Sequence, residues 1–243
     1  SADEVFRAYE NLDKAWKAYL PHAGKAMDVS SVLPDGGRLL PSGTDVMFDN
    51  RTHWMTDVEG GNYRVFAIDG SDAQRGDATG ENMIERYCTG NFLAGQRLIY
   101  ASASGLPVGR YIFKAVAQKG ADGGVIELFA NDDRSPVTSV KVLRETEVAT
   151  DVLDQDLTVG VESGLNNACQ WVSFADVALE YQSPYMLLEE AVAASDTLTY
   201  GEDKGGALKK AADEARVLLV SGEARERMAA YHTLLDAMEQ YRL

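Results

Sequence analysis

Apolar positions recur every three or four residues at both ends of this 243-residue chain and every second residue between them. At the amino end, SADEVFRAYENLDKAWKAYL sets Val5, Ala8, Tyr9, Leu12, Ala15, Trp16, Tyr19 and Leu20 along one stripe. That spacing predicts an amphipathic helix, capped by Asp3 and stopped by Pro21. From Ser183 the helical period returns in three pieces. SPYMLLEEAVAAS opens on a Ser-Pro cap, KGGALKKAADEARVLLV follows, and SGEARERMAAYHTLLDAMEQYRL has Ser221 as its expected cap. In the last piece Met228, Tyr231, Leu234, Leu235, Met238 and Tyr241 share a face. An apolar stripe needs a partner, so residues 1–28 are expected to clasp residues 183–243 in a small antiparallel bundle of about four helices.

Between the ends the period is two. GRYIFKAVAQK puts Tyr111, Phe113, Ala115 and Ala117 on one side, and GGVIELFAND, SPVTSVKVL, DLTVGVES and WVSFADVALEY read as further short strands. Dense turn signals, among them LPDGG, DVEGGN, IDGSD, KGADGG and LDQD, separate them. Short strands with polar turns and no intervening helices predict an antiparallel β-sandwich or jelly roll over residues 29–182, inserted between one helix and three. The last strand changes phase partway. Val177, Leu179 and Tyr181 share a parity that Val172 and Phe174 do not. One extra residue near Phe174–Asp176 restores the register, which is a β-bulge, and it leaves the carboxylate of Asp176 at a sheet edge.

Charge narrows the partners. The formal net charge is −15, and most of it falls between residues 28 and 182. Such a surface repels phosphate backbones and argues against nucleic acid, while it suits neutral ligands or cations. No apolar run approaches the roughly 20 residues that cross a bilayer. The chain opens on Ser1 and reads as a trimmed one, so the lack of an export signal says nothing about location. Cys88 and Cys169 form either one disulfide or two buried free thiols, and neither they nor the scattered His22, His53 and His232 have zinc spacing.

Catalytic patterns are missing from the sequence: there is no G-x-S-x-G, P-loop or dinucleotide fingerprint. Glu81 and Glu85, four apart on a strand, would stand ~13 Å from each other, too far for a retaining glycosidase pair. Sugar binding asks instead for aromatic faces beside amide, carboxylate and guanidinium groups. RTHWMTDVEGGNYRVFAIDG offers Arg51, Trp54, Asp57 and Tyr63 near turns, and FANDDR adds Asn131, Asp132 and Arg134. Trp54 stands out, being a Trp among polar loop residues. The competing reading makes Tyr63 core and N-D-D ordinary turn chemistry.

The strings GLPVGRYIFKAVAQ, IELFANDDRSPVTS and LTVGVESGLNNACQWVSFADVALEY, with ATGENMIERYC upstream, carry a resemblance. Gly105, Leu106, Pro107, Gly109 and Tyr111, then Leu128 to Asp132, then Asn167, Trp171, Val172, Phe174, Asp176, Val177 and Leu179 resemble the galactose-binding-like jelly-roll modules of secreted Bacteroidetes proteins. Glu81, Asn82 and Glu85 match as well, whereas Tyr87 stands where that family more often has Trp. The helical ends look like the small FIVAR-like bundles of surface glycan-handling proteins. The resemblance implies a non-catalytic carbohydrate-binding module, secreted or at the cell surface and lipid-anchored in its precursor. The alternative is a structural or adhesive module that meets a protein partner on the bacterial surface. It also implies a structural Ca²⁺ between the first and last strands, held by Asp45 or Asp49 and by Asp176. The bland role for Asp176 is an edge carboxylate that caps backbone amides.

Overall fold

The computed structural model describes residues 2–37, 54–68, 75–120, 123–165, 168–198 and 205–242. Among the described residues, ten strands form two antiparallel sheets, and four α-helices flank them. The first sheet contains β1 (Met27–Asp28), β2 (Asn62–Ala67), β3 (Asn82–Tyr87), β5 (Gly109–Lys119), β8 (Arg144–Val152) and β10 (Trp171–Gln182). Its order is β2-β3-β10-β5-β8, with β1 added against the end of β10. The second sheet runs β4 (Arg97–Ala103), β9 (Leu157–Ser163), β6 (Ile126–Ala130) and β7 (Asp133–Pro136). The expected two-layer antiparallel sandwich is what the chain forms.

The alternation of side chains decides which face of each strand is dry. Tyr111, Phe113, Ala115 and Ala117 of β5 meet Phe174, Leu179 and Tyr181 of β10 and Leu128, Val159 and Val161 of the second sheet in one core. The hydroxyls of Tyr111 and Tyr181 escape burial without a partner by donating to the carbonyls of Pro107 (2.9 Å) and Val108 (2.8 Å). Arg86, fully buried, spends its donors on Thr56 and on the carbonyls of Val58, Gly60 and Tyr87. It thereby pins the segment before β2 to β3. Cys88 and Cys169 are both buried and not bridged to each other, so the thiol alternative holds.

The strand expected over SPVTSVKVL is displaced. β7 ends at Pro136, where the missing N–H interrupts a ladder. The chain then reaches β8, whose acid-rich sequence hides a strand with only Val148, Thr150 and Val152 buried.

Helices α2 (Pro184–Asp196), α3 (Gly205–Ser221) and α4 (Ala224–Arg242) pack around Leu187, Leu188, Leu208, Ala212, Met228 and Leu234. Ser183 caps α2, its hydroxyl accepting from Met186 N at 2.9 Å. Ser221 does not cap α4: it closes α3, and Glu226 reaches back to Glu223 N at 2.8 Å. Helix α1 (Ala2–Tyr19) begins ahead of Asp3, so that residue lies within the helix rather than at its cap. Nor does α1 join the other three. Val5, Phe6, Tyr9, Leu12, Trp16 and Tyr19 are 38–71% exposed, and the helical core includes none of them. The expected clasp is thus corrected. What docks is the short turn after α1, where Leu20 enters the sandwich core and His22 Nδ1 lies 3.1 Å from Arg227.

Candidate functional site

The bulge in β10 is where the phase change places it. Pairing with β5 slips between Ala175 and Ala178, and Asp176 adopts a left-handed φ of 48°. Its Oδ2 accepts from Thr79 N (2.5 Å) and Thr79 Oγ1 (3.0 Å), and its Oδ1 accepts from Gly80 N (2.9 Å). A Cβ at Gly80 would fall 2.5 Å from that oxygen, so a larger residue there would displace the Asp176 carboxylate. Asp176 therefore caps the backbone entering β3.

The expected calcium would need Asp176 together with Asp45 or Asp49. Both oxygens face N–H or O–H donors, Asp45 and Asp49 lie outside the described residues, and among those residues no His, Cys, Asp or Glu group is placed to hold a metal.

Beside the bulge, the solvent face of the six-stranded sheet forms an open groove of about 630 Å³. Lys114, Val116, Glu145, Glu147, Thr146 and Ala178 line it, with Asp77, Thr79 and Asp176 at one end. Register explains the grouping: Lys114 pairs with Glu147 across β5–β8 and with Ala178 across β5–β10. The Lys114 ammonium sits 2.8 Å from Glu180, a bond that raises its pKa above the ordinary lysine value. Asp77 accepts from Glu145 N (3.2 Å) and meets Arg144 at 2.7 Å. Those two contacts, the backbone one first, hold its carboxyl below the usual carboxylate range. A second concavity of about 390 Å³, bordered by Gly36, Gly37, Glu81 and Asn82, meets the first at Asp176. The far end of the face is closed by α4, where Arg110 bonds Asp151 (2.8 Å) and the Tyr231 hydroxyl (2.9 Å), and His232 bonds Asp151 (2.8 Å).

The residues that the sequence nominates divide. Trp54 is corrected to a core residue: it is 5% exposed and its ring meets Phe174 edge-on at 5.2 Å. It cannot stack on a sugar. Tyr63 is core too, with Arg86 5.9 Å over its ring and burial pushing its hydroxyl pKa up. Arg51 lies outside the described residues. Asn131 is turn chemistry: at φ 49° its Oδ1 accepts from Thr158 N (2.8 Å) and its Nδ2 donates to Asp156 O (3.1 Å). Asp132 is exposed at the same hairpin tip.

Arg134 and Asp57 do share a surface, the outer face of the four-stranded sheet. There Tyr100, Arg97, Phe129 and Arg134 alternate ring and cation at 5.5, 5.6 and 5.3 Å, and the Tyr100 hydroxyl donates to Asp57 at 3.0 Å. Arg134 is already engaged by Glu162 and by the carbonyls of Asn131 (2.6 Å) and Asp133 (3.0 Å). The groove residues escaped sequence reasoning although the signal was present: the parity opposite Tyr111 and Phe113 in β5 holds Lys114 and Val116.

No family model matches the chain, and no curated protein matches it. Solved structures do resemble it. A Stig cyclase of Fischerella sp. TAU, in complex with a pyrrolidinylidene-indole, is 17% identical over 65% of this chain and 99% of its own, with a TM-score of 0.49. TmCBM61 in complex with β-1,4-galactotriose is 17% identical over 53% and 88%, TM-score 0.40. A putative sugar binding protein from Bacteroides thetaiotaomicron is 13% identical over 54% and 88%, TM-score 0.38. What those proteins bind or make stays with them.

Proposed function

We propose that this chain is a non-catalytic carbohydrate-binding module of a secreted or cell-surface protein, with the groove over β8, β5 and β10 as its glycan seat. One observation carries the reading: the groove is open along a sheet face, and hydroxyl, carboxylate and ammonium groups stand over a floor of Val116 and Ala178. Sugars present that same mixture of apolar C–H faces and hydroxyls, and a shallow polar groove holds them by hydrogen bonds. With Glu145, Glu147, Asp77 and Asp176 around it, the seat favours neutral or cationic sugars over acidic ones. The extracellular placement rests on the resemblance of residues 29–182. A second reading, a module that binds protein, is favoured by the exposed stripe of α1.

A glycan array followed by calorimetry tests the first reading. Lys114→Ala and Glu147→Ala should each weaken binding of a neutral oligosaccharide about tenfold or more, since a hydrogen bond to a charged group is worth about 1.5–3 kcal/mol. Trp54→Ala is the wrong probe, because it would damage the core. A folded protein silent across the array, or one whose binding ignores both substitutions, overturns the assignment.

A further inference from the structure

The groove and the second concavity are separated by one wall. Asp176 borders both, with Thr79 on the groove side and Gly80 on the other. No side chain rises from Gly80, and both Asp176 oxygens are taken up by Thr79 N, Thr79 Oγ1 and Gly80 N. The far side of the wall is equally bare. Gly37, in the turn Pro34–Gly37, has a left-handed φ of 77°, and a Cβ there would fall 2.6 Å from Val177 O. Main chain therefore borders the second concavity where a side chain would fill it.

Uncommitted polar groups lie on both sides of this wall. In the groove, Lys114 is held by Glu180, and Asp77 by Arg144 and Glu145 N. The carboxylates of Glu145 and Glu147 make no hydrogen bond or ion pair among the described residues. In the second concavity the same is true of the side chains of Glu81 and Asn82. Asn82 is half-buried, and its amide can both donate and accept. The three carboxylates only accept, so what they take from a ligand is hydroxyl donors.

Taking the groove as the glycan seat, the reading on which this extension rests, we propose that Glu81 and Asn82 form a second subsite. The ligand is then a neutral oligosaccharide that crosses over Gly80 from one hollow into the other. At about 630 Å³ the groove alone is already the size of a small-molecule site, and the second hollow adds about 390 Å³. A ligand that fills both is a chain of several sugars, with the end in the groove stopped by α4.

Calorimetry of the full chain with di- to hexasaccharides of β-1,4-linked glucose, mannose, xylose and galactose tests this. Affinity should rise with chain length and then level off. Glu81→Gln and Asn82→Ala should each weaken hexasaccharide binding about tenfold and leave the disaccharide unchanged, whereas Glu147→Ala weakens both. Glu81 is exposed, so Glu81→Gln keeps the fold, and a thermal melt checks Asn82→Ala. Affinity that ignores length, or that neither Glu81→Gln nor Asn82→Ala alters while Glu147→Ala still lowers it, overturns the second subsite alone. An equal loss at every length overturns it too. A folded chain that binds none of these sugars overturns the glycan seat, and the subsite with it.

Discussion

Helices α1 and α4 are nearly the same length, 18 and 19 residues, and each carries a row of large apolar side chains at helical spacing. In α4 Met228, Tyr231, Leu234 and Met238 are buried against α2 and α3. In α1 the corresponding row faces water. The difference lies in what the neighbouring chain does. α4 is delivered to its partners by the turn through Gly222 and is tied to the sandwich by Tyr231 and His232. α1 ends on a residue committed to a different core. A periodic stripe states that a surface needs covering and leaves the cover unnamed.

Two pairs of substitutions break or sharpen that contrast, in falling order of effect. Leu234→Ala removes a fully buried side chain and should cost about 2–5 kcal/mol in chemical denaturation, whereas Leu12→Ala in α1 should stay within about 0.5 kcal/mol. Equal losses would mean that the two helices are equally packed. Tyr231→Phe leaves the ring over Arg110 and deletes the hydroxyl that accepts from it, for about 1 kcal/mol. Tyr9→Phe should cost the body nothing.

The smallest effect sits in the segment that follows α1. The Asp28 carboxylate accepts from Ser30 Oγ (2.6 Å) and Ser30 N (2.9 Å), and these bonds lower its pKa. A depressed carboxylate stabilises the fold fully above its unfolded-state value, near 3.9. That contribution disappears as pH falls through the folded value. Denaturation midpoints taken down through the acid range should thus fall less steeply for Asp28→Asn than for the native chain. Parallel curves would show that the anchor does not depend on Asp28.

Much of the sandwich was legible because alternation is a local property. β5, β6, β9 and β10 stand where period two puts them, and a mismatch between Phe174 and Val177 was enough to place the bulge. β8 was hidden because its outward positions are Glu145 and Glu147, so its apolar set is thin. The candidate site was legible only in part. Asp176 at the sheet edge followed from the bulge, while Arg134 and Asp57 lie on the outer face of the other sheet, away from the groove. Trp54 misled because a Trp between polar residues looks exposed in a string, while its partner Phe174 is 120 positions away. The groove needs β8 laid beside β5 and β5 beside β10, and no spacing along the chain announces that order.

By itself the sequence determined the periods, the turns, the acidity and the position of the extra residue in the last strand, because each depends on neighbours in the chain. Only the tertiary structure decided which face of each strand is dry, which carboxylates share a groove and which helix is left uncovered. Those outcomes depend on contacts between residues far apart in the chain, and a side chain's role is set by what fills the space around it.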